Sequence, residues 1–373
     1  MQGYDVLIVG AGLAGATMAN LFAGKGLKVL VVEKRKQVAG NCFDYKDANN
    51  ITVHRYGPHI FHTNNVEVWN FVNSFTRFHY YQHRVLSYVQ GQYVPFPINL
   101  DTVNSLFGTK MTSSELSAFY ASEIKRSSYN PSVKSFRDGV VSVVGEKLYD
   151  LFFKNYTWKQ WQQDPDTLCP ELAERIPVRY GRDDRYFTDR FQGIPREGYT
   201  RLVEKMLDHS HIALLLGVDY LAVRDQLPAR LTIYTGKLDA FFNYQYGELG
   251  YRSVALQFEE LDCEYYQPGS VINFPNDYAW TRTTEFKYFL NEKSAKTTVL
   301  FEYPQAGGEP FYVTLTKENM EKRNRYLNEV NTLELSGRYL FLGRLAEYKY
   351  YNMDQVIAAA FEKFAKWNQE YNV

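Results

Sequence analysis

The stretch Val6-Leu7-Ile8-Val9-Gly10-Ala11-Gly12-Leu13-Ala14-Gly15 decides the fold of this chain. An apolar run that goes straight into G-x-G-x-x-G suits a strand buried on both faces. Ala16 to Ala23 is apolar at helical spacing and stops near Gly24 and Gly26. Val29-Leu30-Val31-Val32 is a second buried strand, and it closes on Glu33. Strand, glycine turn, helix, strand and terminal acid within about thirty residues form a dinucleotide-binding unit. Gly10 allows the tight turn, Gly12 lets the backbone approach a pyrophosphate, and Gly15 permits close helix–strand packing. Leu13 opens the helix whose free N–H groups face the anion. Glu33 is placed to accept from ribose hydroxyls.

Composition bounds the rest. The chain has 373 residues, enough for about two or three domains. Lys+Arg and Asp+Glu are both 42, so there is no bulk charge to hold nucleic acid or an anionic membrane. The 31 Tyr and 25 Phe suit either a protein that stacks rings and hydrogen-bonds sugars or an aromatic-rich core. The 3 cysteines, Cys42, Cys169 and Cys263, lie far apart and show no metal spacing, so neither a disulfide framework nor zinc is expected. The start of the chain reads as a strand rather than a leader, and no apolar stretch is long enough to span a bilayer. A cytoplasmic protein is the expectation.

Further along, His54, His59, His62, His79 and His83 crowd one short span. His59 and His62 are three apart, but no third ligand is near in sequence, so no metal is expected. Residues 113–154 read as helical, and residues 220–300 turn to strands, as at 231–235, 252–258 and 297–300. Residues 338–343 are again a buried strand, and 353–361 a strong helix.

After Glu33 the chain runs Lys34-Arg35-Lys36-Gln37-Val38-Ala39-Gly40-Asn41. This resembles the FAD pattern of glutathione-reductase-like flavoproteins, which usually carry another glycine where Ala39 stands. Gly57-Pro58-His59-Ile60-Phe61-His62-Thr63 then resembles the bacterial UDP-galactopyranose mutases. The likeness continues through Tyr156-Thr157-Trp158-Lys159-Gln160-Trp161, Arg175-Ile176-Pro177-Val178-Arg179-Tyr180 and Tyr186-Phe187-Thr188-Asp189-Arg190-Phe191-Gln192-Gly193-Ile194-Pro195. It returns at Val271-Ile272-Asn273-Phe274, Thr281-Arg282, Glu309-Pro310-Phe311-Tyr312 and Gly343-Arg344-Leu345-Ala346-Glu347-Tyr348-Lys349-Tyr350-Tyr351.

The resemblance implies an α/β fold: a Rossmann-like FAD domain, an inserted helical domain and a twisted antiparallel sheet. The FAD domain would comprise residues 1–80, about 196–240 and 320–373. The helical domain, with a mobile lid, would fall at about 100–180, and the sheet at about 81–99, 181–195 and 241–319. FAD would be held by Gly10, Gly12, Leu13, Gly15, Glu33, Lys34, Gly40, Asn41, His59, His62, Arg344, Tyr350, Asn352 and Met353. The helix beginning near Asn352 would point its positive end at the flavin. A nucleotide diphosphate sugar would be held by Phe152, Tyr156, Trp161, Arg179, Tyr186, Asn273, Arg282, Tyr312, Arg344 and Tyr350. His62, Arg179 and Arg344 would be catalytic. Arginine grips a diphosphate through bidentate, charge-assisted bonds.

The implied reaction interconverts UDP-galactopyranose and UDP-galactofuranose. The N5 of reduced flavin attacks the anomeric carbon, UDP leaves and returns, and net redox is zero. An unidentified reductant and a homodimer are implied as partners. Departures at Pro58, His83, Gln162, Gln163, Val313 and Asn352 fall where the family pattern reads otherwise. They leave open UDP-N-acetylgalactosamine or a deoxythymidine-diphosphate sugar such as fucose. An amine-oxidase-like flavin oxidoreductase and a non-catalytic nucleotide-sugar binder are the rival classes.

Overall fold

A computed structural model describes residues 3–371 apart from 176 and 315. Ile176, inside one of the quoted motifs, therefore lies outside the described residues. The opening motif folds as β1 (Tyr4–Val9), α1 (Leu13–Gly24) and β2 (Val29–Glu33). β1 and β2 lie inside a five-stranded parallel sheet, completed by Ile212–Leu216 beyond β2 and by Ala229–Tyr234 and Tyr339–Phe341 beyond β1. The chain therefore leaves this sheet after β2 and returns to it twice. Its last helix, Met353–Tyr371, packs on α1, where Phe22 meets the edges of Phe364 and Trp367 at 5.0 and 4.9 Å.

The third glycine of the motif is forced by packing. A Cβ on Gly15 would stand 1.9 Å from the carbonyl oxygen of Gly10. Gly10 has φ +103°, which L side chains rarely adopt.

A seven-stranded sheet forms the second layer, in the order Tyr312–Val313, Tyr251–Leu261, Thr297–Gln305, Arg282–Glu285, Val271–Asn273, Val85–Val89 and Gln92–Phe96. It is antiparallel except where Val271–Asn273 pairs in parallel with Val85–Val89. Those two strands come from distant parts of the chain, so no hairpin dictates their direction.

The helical layer holds Leu100–Phe107, Ser113–Arg126, Phe136–Val144, Glu146–Tyr149, a π-helical turn at Asp150–Lys154, and Asn155–Trp161. It has its own core around Leu116, Val141, Leu148 and Phe153. The expectation of helix across 113–154 holds with two breaks. One follows Arg126; the other is at Gly145, where φ is +82° and a Cβ would stand 2.7 Å from Glu123.

One expectation is corrected and one helix is new. The stretch 220–300 is not all strand: it opens on the short helix Tyr220–Val223, and its first strand, Ala229–Tyr234, belongs to the parallel sheet. The helix Lys317–Leu335 was not read from sequence at all. It buries only Tyr326 and Val330, so it carries almost no apolar stripe to read.

Candidate active site

A cavity of about 740 Å³ lies where the three layers meet. Asn41, His59, His62, Arg344, Tyr350, Asn352 and Met353 form its wall on the parallel-sheet side. Phe152, Tyr156 and Trp161 close the helical end. Asn273, Arg282, Glu302 and Tyr312 come from the seven-stranded sheet, and Tyr186 from the segment after the helical layer.

The glycine turn abuts this cavity. The Ala39 N–H donates to the Ala11 carbonyl at 2.8 Å, and a Cβ on Gly40 would stand 3.1 Å from the Gly12 Cα. Gly40 and Asn41 therefore run from the motif into the cavity wall. Gly12 caps α1 and offers no side chain, no acid occupies the first turn, and the first backbone bond is Ala16 N–H to Gly12 at 2.9 Å. Among the described residues no side chain caps the first turn of α1, which fits an anion such as a dinucleotide pyrophosphate. Glu33 is buried and accepts from the Ala11 and Arg35 N–H groups, each at 2.8 Å. A carboxylate fixed there has lone pairs left for a ribose. These residues fit FAD.

Ala39, where the flavoprotein pattern usually carries glycine, and Gln162, one of the departures named above, both keep a left-handed backbone. Ala39 has φ 73° and Gln162 has φ 51°.

Within the cavity, Arg282 donates to the Tyr156 hydroxyl at 3.3 Å and lies 3.9 Å from Glu302. Its Nε and the Glu302 Oε1 are buried without a hydrogen-bond partner. Burial pushes the Glu302 carboxyl up, against the pull of Arg282. Arg344 donates to the Phe311 carbonyl at 3.0 Å and the Tyr351 carbonyl at 2.7 Å. Its guanidinium lies 4.8 Å from the Tyr350 ring, and Tyr350 is nearly parallel to Tyr312 at 6.3 Å. Burial pushes His54, His59 and His83 down to about 3, so all three are neutral at ordinary pH.

Two expected site residues stand apart. Arg179 is not in the cavity wall. Its N–H donates to Ile98 at 2.9 Å, and its Nε is buried without a partner. Lys34 is exposed and pairs with Asp219 at 3.1 Å. The basic residue that turns inward is Arg35, which bonds Asn41 and Glu309, each at 3.0 Å, and covers the Tyr56 ring at 4.2 Å.

Other residues were missed by the sequence reading. Asp189 lies 2.9 Å from the His62 ring. Lys159 reaches the backbone carbonyls of Phe274, Asn276, Tyr278 and Trp280, the last three at 3.0, 3.0 and 3.1 Å. It ties the helix of Tyr156 and Trp161 to the loop between Asn273 and Arg282. Both sit inside motifs quoted above, but nothing in sequence names their partners. Among the described residues no group of three or more His, Cys, Asp or Glu could hold a metal, and no helix is long and apolar enough to cross a membrane.

The sequence profile of the UDP-galactopyranose mutases matches residues 151–350, and that of an NAD(P)-binding Rossmann-like domain matches residues 8–75. A probable UDP-galactopyranose mutase of Klebsiella pneumoniae is 38% identical over 369 residues, which are 97% of this chain and 94% of that protein. A dTDP-fucopyranose mutase of Escherichia coli is 36% identical over 368 residues, 96% of each. The fold matches a crystal structure of reduced UDP-galactopyranose mutase with a TM-score of 0.76 at 15% identity, over 100% of this chain and 95% of that one. The chain belongs to the UDP-galactopyranose mutase family.

Proposed function

We propose that this flavin-dependent pyranose/furanose mutase acts on UDP-galactose. The observation that carries the reading is the placement of Arg282 and Arg344 in one cavity, between an aromatic end and the dinucleotide turn. A nucleotide diphosphate sugar has that order of parts: a flat base, two phosphates, then a sugar at the reacting end.

Phe152, Tyr156 and Trp161 receive the base by stacking. Arg282 and Arg344, with the hydroxyls of Tyr156, Tyr312 and Tyr350, hold the diphosphate and stabilise its charge as it leaves. Asn273 and Tyr186 line the space between. Arg179 joins them only if the segment that carries it moves, and its unpartnered buried Nε supports that role. His59, neutral through burial, offers hydrogen bonds without competing for the phosphates. FAD, held by the glycine turn and Glu33, supplies when reduced a nucleophile for the anomeric carbon, so no side chain has to. A cytoplasmic location, an external reductant and a homodimer belong to the same reading.

The second reading is a dTDP-6-deoxyhexose substrate, favoured by the near-equal identity to the dTDP-fucopyranose mutase. One experiment separates them. The dithionite-reduced, FAD-loaded protein is incubated anaerobically with UDP-galactofuranose and, in parallel, with dTDP-fucofuranose, with the oxidised protein as control. Conversion of the first alone, and only when reduced, supports the reading. Conversion of the second alone moves the substrate, and conversion of neither sinks both.

A further inference from the structure

His62 is held more tightly than a cavity-lining residue needs to be. It lies on Phe61–Thr63, paired with Phe191–Pro195 so that His62 faces Gln192. Its Nδ1 is 2.9 Å from Asp189 Oδ2. Asp189 Oδ1 accepts from the Asn64 side-chain amide at 2.9 Å, and Asn64 Oδ1 accepts from the Arg190 N–H at 2.8 Å. The loop is pinned from below, because the Gln192 amide donates to the carbonyls of Phe187 at 3.2 Å and Asp189 at 2.9 Å. The imidazole also lies flat on the Phe187 ring, with centroids 3.7 Å apart and planes 12° from parallel. Both rings line the cavity.

A carboxylate only accepts, so Nδ1 must carry the proton. In the neutral ring that leaves the lone pair on Nε2, on the far side from Asp189. Stacking fixes the plane of the ring, and the carboxylate fixes its rotation within that plane. We propose that Asp189 is a positioning residue that holds His62 as its Nδ1–H tautomer, so that Nε2 meets the bound ligand as a hydrogen-bond acceptor. This rests on the mutase reading only for the identity of the ligand. The pairing itself needs no ligand.

Asp189 meets two donors, the His62 ring and the Asn64 amide. They meet different oxygens, and an asparagine there replaces one of those oxygens with an NH2 group that donates, so one of the two donors loses its acceptor. The test uses the FAD-loaded protein with Asp189→Asn and Asp189→Ala. The first readout is the ring-nitrogen NMR signal of histidine-labelled protein, assigned with His62→Gln. The second is kcat beside the affinity for UDP.

In the wild type the His62 proton should sit on Nδ1. In both variants the signal should move toward a mixture of tautomers. The kcat should fall roughly ten- to a hundredfold, as for other carboxylates that orient a working histidine, with UDP affinity unchanged. A wild-type proton on Nε2, an unmoved signal in the variants, or full kcat with a moved signal would each overturn the proposal. Because the NMR readout needs no turnover, a protein inactive on every nucleotide sugar would sink the mutase reading and leave this one to be judged by the spectra. If Asp189→Ala does not fold, the isosteric Asp189→Asn decides.

Discussion

Arg282 and Tyr156 join the seven-stranded sheet to the helical layer: the guanidinium donates to the phenol at 3.3 Å inside the cavity. The bond ties the strand Arg282–Glu285 to the helix Asn155–Trp161 at the place where the diphosphate is proposed to lie. Arg282→Ala should lower kcat/KM by about 10²–10³, the cost of removing one donor from a developing anion. Tyr156→Phe keeps the ring and loses one hydrogen bond, so about tenfold is expected. Steady-state assays of the reduced enzyme check both. Equal losses in the two variants would mean that Arg282 acts there through its bond to the Tyr156 hydroxyl rather than through its charge on the diphosphate.

Gly15→Ala should abolish stable FAD loading. The added methyl carbon would sit 1.9 Å from the Gly10 carbonyl oxygen, so α1 must shift away from the turn. Overpacking of this kind costs about 1–3 kcal/mol and displaces the anion-facing N–H groups. The visible flavin spectrum of the purified variant and its Tm report the two effects separately.

Lys159→Met should weaken both stability and substrate affinity. Four backbone carbonyls between Phe274 and Trp280 would lose their donor. Burial pulls the ammonium down to about 8, so the charge is still present at neutral pH. Leaving buried acceptors unpaired costs about 1–3 kcal/mol each, with partial recovery by water. A lower urea midpoint should come with a raised KM, because the freed loop lies between Asn273 and Arg282. A changed midpoint with unchanged KM would limit Lys159 to folding.

Acid should destabilise the chain through His54, His59 and His83. Their folded pKa values, pushed down to about 3 by burial, lie below the ordinary 6.5. The unfolded chain takes up these protons first, so their contribution is whole above pH 6.5 and is lost as pH falls from there toward 3. Each contributes a slope of about 1.4 kcal/mol per pH unit well below 6.5. Urea unfolding between pH 7 and 5 should show the loss. A flat profile would mean that the three rings are already solvated in the native state.

Gln162→Gly should be neutral or stabilising by up to about 1 kcal/mol. Gln162 ends its helix at φ 51°, a conformation that glycine adopts without cost. Its exposed side chain donates to the Lys159 carbonyl at 3.1 Å. Thermal unfolding measures the sign.

The sequence determined the dinucleotide unit by itself. The spacing of Gly10, Gly12 and Gly15 between two apolar runs leaves one local fold, because Gly10 supplies the positive φ of the turn while Gly12 and Gly15 answer close approaches of Gly40 and Gly10, within about thirty residues. The motifs in order carried the resemblance to the family, and of the ten nucleotide-sugar residues that the resemblance named, nine line the cavity. Only the tertiary structure decided which neighbours those residues meet. Arg179 and Arg344 are alike in sequence, yet one lies in the cavity wall and the other against Ile98. Lys34 and Arg35 are adjacent, yet one faces solvent and the other Tyr56. Asp189 and Lys159 act through partners more than a hundred residues away. Local pattern records which face of an element is apolar. It does not record which polar groups from a distant segment will be desolvated together, and that is settled only when the layers pack.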